Sequence, residues 1–179
     1  LLSGLNIKVL ALNDLKGHPE VRETGKTFLA NAEEKALTIS KRIKSAIVLA
    51  DDSGLEVDAL DKAPGIKSAR FAGADQNDDK NIAKLLKKLK DTPSNKRTAR
   101  FRCVVAMAFS GKVIGHVEGR ITGKISKERK GQNGFGYDPV FVPKGYKETF
   151  AQMKPPFKNK ISHSCLLYTS DAADEEDSV

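Results

Sequence analysis

The sequence predicts an α/β fold, a mixed sheet with helices packed on it. Short apolar runs bounded by turn residues, among them Ile47–Ala50 and Phe101–Phe109, have the length and character of strands. Phe28, Ala32, Ala36, Ile39 and Ile43 recur at spacings of four, four, three and four, which is one face of a helix. The order strand, helix, strand, helix, hairpin, strand is the third observation, and it is that of helices laid against a sheet. No G-x-G-x-x-G follows a strand, so the pattern does not look like a Rossmann domain.

Taken in order, Leu5–Leu12 alternates and reads as a strand near Ile7–Ala11. Asn13–Thr24, with Gly17 and Pro19, is a polar loop that contains Glu20 and Glu23, and Thr24 or Thr27 is placed to cap the next helix. That first helix spans about Lys26 to Lys44. Ile47–Ala50 is a buried strand that runs into a tight acidic loop, Asp51-Asp52-Ser53-Gly54. Leu55–Leu60 is a further short strand or a turn. Lys62-Ala63-Pro64-Gly65 is a turn by composition. A second helix covers Asp75–Lys90, with Ile82, Leu85, Leu86 and Leu89 as its buried stripe, acids early and lysines late, as the helix dipole favours. Asp91–Arg97 is a loop. Phe101–Phe109 is apolar on both alternations and reads as a central strand, and Ser110-Gly111-Lys112 turns it into a long partner, Val113–Ile125, in which Gly115, Gly119 and Gly123 suggest bulges or bends. Val140–Val142 is a short strand, and Phe157–His163 leads into a last helix.

Composition bounds the class. A chain of 179 residues, 39% hydrophobic and 30% charged, is one domain or one domain with a small lobe. No apolar run approaches a membrane span. Cys103 and Cys165 suit neither a disulfide framework nor a zinc site, so the expected setting is reducing and cytoplasmic, with Cys103 a core thiol. The net charge is +8, but the last fifteen residues hold five acids and no base, which leaves the first 164 with 31 bases against 18 acids. Such a surface favours phosphate-bearing partners, whereas Lys84, Lys87, Lys88 and Lys90 read as a solvated helix face.

Three clusters have the residue types for chemistry. Glu23, Asp51 and Asp52 offer oxygen ligands for Mg²⁺, which keeps several waters and shares positions with substrate phosphates; the ordinary alternative is an Asx-turn. Asp51 and Asp52 are adjacent in an extended segment, so they point to opposite faces. Gly134-Phe135-Gly136-Tyr137-Asp138 combines backbone openness with aromatic rings. Phe135 or Tyr137 is able to stack on a base and Asp138 to accept from ring N–H groups; the alternative is an irregular turn with two core aromatics. Lys158-Asn159-Lys160-Ile161-Ser162-His163 offers cations for phosphates and an imidazole, or a simply solvated segment.

Several segments in one order are more specific than any alone. Thr24-Gly25-Lys26-Thr27-Phe28, Asn31-Ala32, Ala50-Asp51-Asp52-Ser53-Gly54-Leu55-Glu56-Val57-Asp58 and the run Ala63 to Gly73 come first. Gly134 to Phe141 and Lys158 to His163 come after them. Together they resemble the inosine-triphosphate pyrophosphatase family over about Leu1 to His163. The resemblance implies a long mixed twisted sheet with flanking helices in two lobes around a nucleotide cleft. It implies Mg²⁺-dependent hydrolysis of ITP, dITP and XTP to monophosphate and pyrophosphate, and a homodimer with no stable nucleic-acid partner. By motif, Asp52 is the catalytic base and a metal ligand, Glu23 a further metal ligand, and Asp51 a neighbouring acid. Ser53, Phe135, Gly136, Tyr137, Asp138, Lys158 and His163 bind substrate.

The chain departs from that pattern in places. The family's first strand and its Thr/Ser-x-Asn-x-x-Lys phosphate loop are expected to precede Leu1. Ser164 stands where the family has Arg, and Ala30 where it commonly has Glu. Residues 1–163 are therefore expected to form the pyrophosphatase domain, and 164–179 an acidic tail foreign to the family. The competing expectation is a non-catalytic nucleotide- or nucleic-acid-binding protein with a basic surface.

Overall fold

The computed structural model describes residues 8–14, 17, 19, 21 and 23–162. Its regular elements are helix α1 (Phe28–Ser40), strand β1 (Ile47–Val57), helix α2 (Asp78–Lys88), strands β2 (Thr98–Phe109), β3 (Lys112–Ile125) and β4 (Phe141–Pro143), and helix α3 (Pro155–Ile161). The α/β class expected from the sequence is present. The four strands lie in the order β1-β2-β3-β4. They pair antiparallel, so no parallel pair of the expected mixed sheet occurs among the described residues. Two compact units divide the chain: Leu1–Asp51 with Val105–Val117, and Asp52–Val104 with Glu118–Val179.

In the first unit, α1 starts at Phe28, the first residue of its apolar stripe and two residues after the expected Lys26. Thr27 is extended (φ −136°, ψ 158°) and its hydroxyl accepts from Ala30 N–H at 3.1 Å, which stops the helix at that point. Thr24, the other capping candidate, instead donates its backbone N–H and its hydroxyl to the Glu34 carboxylate at 2.9 and 3.0 Å. β2 and β3 meet in a two-residue turn whose residues both have positive φ, 49° at Ser110 and 79° at Gly111, the conformation that matches the twist of an antiparallel hairpin. The expected strand near Ile7–Ala11 is not formed over 8–11, where Val9 and Leu10 are largely exposed. Alternation marks a surface that suits a sheet; a strand also requires a neighbouring ladder to pair with.

The second unit contains the main apolar core. Leu55 and Val57 of β1, Ile82 and Leu85 of α2, and Phe141 and Phe150 are among its buried members. The rings of Phe101, Phe141 and Phe150 pack at centroid distances of 4.7 and 5.2 Å, within the range aromatic pairs prefer. β2 has buried residues on both alternations, Cys103 and Val104 side by side, as expected of a central strand. Gly123 is where β3 meets β4 closely: a Cβ there would lie 2.3 Å from the Val142 carbonyl oxygen. α2 is capped by Asn77, which accepts from Lys80 N–H at 2.9 Å, so the helix begins at Asp78 and not at Asp75.

Across β1, β2 and β3 of this unit runs a chain of ion pairs. Lys62 and Arg100 hold Asp58, Arg100 and Arg102 hold Glu56, and Arg102 holds Glu118. The Lys62 ammonium, the Thr98 hydroxyl and the Arg100 guanidinium together draw the Asp58 carboxyl down from 3.8 to about 2. Its folded value lies below its unfolded one, so the stability it contributes is complete above about pH 4 and is lost as pH falls through about 2. More than a third of the side chain faces solvent, and screening keeps its worth to about 1 kcal/mol or less. Asp58→Asn is therefore expected to lower the urea midpoint at pH 7 and to lower it much less at pH 2. Equal loss at both pH values would remove the ionised carboxylate as the cause.

Candidate functional site

Asp52 does not sit in a loop. β1 continues without a break through Asp51, Asp52, Ser53 and Gly54 to Val57, so the tight acidic loop expected from Asp, Ser and Gly is corrected to the middle of a long strand. Turn composition is overridden here because the segment has a ladder partner in β2. The strand period does what adjacency demanded: Asp51 and Ser53 are exposed, whereas Asp52 is 8% exposed.

Glu23 belongs to the first unit, where its carboxylate pairs with Lys35 Nζ at 2.9 Å. The same ammonium donates to the Asp51 carbonyl oxygen at 2.7 Å, so α1 anchors both the acidic entry loop and the end of β1 in that unit. Lys35 does not stand out in the sequence; its helical position gives it the appearance of one more solvated cation. Among the described residues no group of three or more His, Cys, Asp or Glu side chains gathers around a common point. Each carboxylate taken by itself, Asp52 in the second unit or Glu23 in the first, has the oxygen donors that a hard cation such as Mg²⁺ takes.

The Gly134–Asp138 segment of the second unit is tightly constrained. Gly134 has φ +81°, and a Cβ there would fall 1.9 Å from Asp138 Oδ2, so only glycine lets the chain close over that carboxylate. Asp138 is 3% exposed and accepts from Phe135 N–H at 2.8 Å and from Lys158 Nζ. The Lys158 ammonium also lies 4.5 Å from the centroid of the Phe135 ring, a cation–π contact. The two aromatics, equivalent from sequence, separate here. Tyr137 is buried, its hydroxyl donates to the Ser68 carbonyl at 2.9 Å, and burial with the nearby Asp78 charge pushes its pKa up. Phe135 is 75% exposed. Tyr137 thus anchors the loop, and Phe135 presents a ring face.

Ser68 ties this loop to β1. Its hydroxyl accepts from Leu55 N–H at 2.8 Å and donates to the Gly65 carbonyl, while its own carbonyl receives Tyr137. One buried serine therefore joins the strand that carries Asp52 to the loop that carries Phe135. Gly136 N–H is held by Asp78 at the start of α2 at 2.7 Å. Ser68 lies within the run Ala63 to Gly73 that carries the resemblance but is given no role there, and Asp78 reads as an ordinary acid in a first helical turn. His163, and the tail from 164, lie outside the described residues. No helix among the described residues is long and apolar enough to cross a membrane.

The arrangement has clear relatives. The sequence pattern that defines the Ham1 family matches residues 1–165. A protein of Oceanobacillus iheyensis named dITP/XTP pyrophosphatase is 48% identical over 162 residues, 90% of this chain and 82% of its own length. A protein of the same name from Bacillus licheniformis is 50% identical over 155 residues, 87% of this chain and 79% of its own length. Among solved structures, the Staphylococcus aureus Ham1 protein superposes with a TM-score of 0.85 at 40% identity, over 94% of this chain and 86% of that one. The dITP/XTP pyrophosphatase of Mycobacterium abscessus superposes at 0.79 with 38% identity, over 97% and 89%. Motif order, fold and these similarities agree, and the chain belongs to the Ham1 family.

Proposed function

We propose that this chain hydrolyses the non-canonical purine nucleoside triphosphates ITP, dITP and XTP to the nucleoside monophosphate and pyrophosphate. The observation that carries this reading is the exposed Phe135 ring on a pinned loop, beside the ammonium of Lys158 and the carboxylate of Asp138. A flat base requires such a face, and a ring held in place gives up little freedom on binding. The name dITP/XTP pyrophosphatase, shared by relatives at 48 and 50% identity, supports the substrate class.

In the proposed reaction, a water oxygen forms a bond to the α-phosphorus as the bond from that phosphorus to the bridging oxygen breaks. Pyrophosphate leaves with that oxygen, and the water proton passes to the Asp52 carboxylate. Lys158 and His163 contribute positive charge or hydrogen bonds to the substrate, and Ser53, next to Asp52 in β1, is a further substrate contact. Asp52 and Glu23 are the carboxylates that would hold Mg²⁺, which when bound supplies neutralising charge to the triphosphate. The proposed assembly is a homodimer, and the proposed setting the cytoplasm.

Incubation of the purified chain with Mg²⁺ and ITP, XTP, ATP or GTP tests the reading directly. Pyrophosphate release from ITP and XTP is expected at least ~10-fold above that from ATP and GTP, in line with the selectivity that a few polar contacts supply. Preference for ATP or GTP, or release of orthophosphate alone, would overturn it. Steeply salt-dependent DNA binding without hydrolysis would favour the non-catalytic alternative. Phe135→Ala is expected to raise the KM for ITP by ~5- to 100-fold, the worth of one stacked base. An unchanged KM would take the Phe135 ring out of the base site.

A further inference from the structure

Two consecutive backbone amides in the 134–138 loop are each gripped by a carboxylate. Phe135 N–H donates to Asp138 Oδ2 at 2.8 Å, and Gly136 N–H donates to Asp78 Oδ2 at 2.7 Å. Asp138 is a member of the loop itself. Asp78 comes from the first turn of α2, 58 residues away in sequence. Elsewhere the segment is fastened to the turn at 149–153: Asn133 N–H donates to the Ala151 carbonyl at 3.0 Å, and Ala151 N–H to the Asp138 carbonyl at 3.2 Å. The Gly136 end lies beside a cavity of about 300 Å³ whose walls include Asp78, Asp79, Ile82, Arg129 and Pro139. Tyr137 holds the core side of the loop, and on the cavity side the acceptor that meets the Gly136 amide comes from outside the loop, from Asp78.

We propose that Asp78 is a positioning residue for nucleobase recognition. Its carboxylate fixes the Phe135–Gly136 peptide, and through it the ring that meets the base. The inference rests on the nucleotide reading above. An acid in a first helical turn also complements the helix dipole, but Asp79 supplies the same charge one residue on and pairs with Arg129 at 2.6 Å. What distinguishes Asp78 is the placement of an acceptor against one particular amide.

Four substitutions separate acceptor placement from charge. Asp78→Asn keeps an acceptor at the same reach and loses the charge. Asp78→Glu keeps the charge and moves the acceptor by one methylene. Asp78→Ala loses both, and Asp79→Ala removes a first-turn charge without touching Gly136. The KM for ITP is expected to rise ~5-fold in Asp78→Ala and Asp78→Glu, the equivalent of one net hydrogen bond, with kcat within about twofold of the parent. Asp78→Asn and Asp79→Ala are expected to match the parent in both. The proposal is overturned if KM follows charge rather than placement, if Asp79→Ala raises KM equally, or if Asp78→Ala and Asp78→Glu leave KM unchanged. Should Asp78→Ala not fold, the Asn and Glu variants decide the matter alone. Should the parent chain fail to hydrolyse ITP, the nucleotide reading falls, and amide exchange at Gly136 still tests the positioning. That exchange is expected to be slow in the parent and Asp78→Asn and fast in Asp78→Glu; equal exchange in all three overturns it.

Discussion

Asp52→Asn is expected to lower kcat for ITP hydrolysis by ~10²- to 10⁴-fold, the range over which a positioned general base contributes. The substitution is nearly isosteric and replaces one carboxylate oxygen by an amide nitrogen that accepts no proton. Asp52 is 8% exposed within β1, not on a loop, so truncation would open a hole in a strand, whereas the amide keeps its shape. The melting temperature is therefore expected to remain within a few degrees of the parent while turnover collapses. Pyrophosphate release and a thermal melt on the same preparation check both halves. Parental turnover would remove Asp52 from the mechanism, and a collapse of both quantities would assign it a structural role.

Arg97→Met is expected to cost on the order of 2–4 kcal/mol, the consequence of losing hydrogen bonds from a charged donor to backbone carbonyls, most of them buried. The guanidinium is 3% exposed, and its burial lowers its pKa. Its three nitrogens donate to three backbone carbonyls: Leu89 at the end of α2 at 2.6 Å, Ile125 at the end of β3 at 2.8 Å, and Ser126 just beyond at 2.7 Å. Ile125 N–H in turn donates to the Arg97 carbonyl at 2.9 Å. One side chain thus clips the helix end to the strand end and neutralises the negative pole of α2. Loss of the clip removes a donor from the buried Ile125 carbonyl and from the part-buried Ser126 carbonyl and leaves Leu89 with Thr92 N–H alone, and the expected fall in melting temperature is roughly 10 °C. Arg97→Lys does not rescue it, because an ammonium lacks the planar fork that reaches three directions at once. A melting shift of only a degree or two in Arg97→Met would show that water replaces the guanidinium without cost.

Much of the architecture is legible in the sequence because it rests on local periodicity. The α1 stripe from Phe28 to Ile39, the α2 stripe at Ile82, Leu85 and Leu89, the doubly apolar β2 and the Ser110-Gly111 hairpin each announce themselves within a few residues. Element ends are less legible, since a cap is one side chain: Thr27 and Asn77 set the starts of α1 and α2 two and three residues after the expected Lys26 and Asp75. The break expected at Asp51–Gly54 does not occur because turn propensity is weak against a strand ladder supplied from about 40 to 60 residues away.

The site divides in the same way. Residue types and their order suffice to identify the family and to gather Asp52, Phe135, Gly136, Tyr137, Asp138 and Lys158 as candidates, because the chemistry of each is intrinsic to its side chain. Only the tertiary structure separated them by exposure and hydrogen-bond partner. It placed the Tyr137 ring in the core with its hydroxyl on Ser68, left the Phe135 ring 75% exposed under Lys158, and brought Asp78 to the Gly136 amide. It also turned Arg97, at the end of a polar loop by sequence, into a buried clip. Exposure and hydrogen-bond partners are properties of neighbours brought together by packing, often from residues tens of positions apart. A linear pattern names the groups able to act; only the folded core decides which of them faces a ligand and which holds that one still.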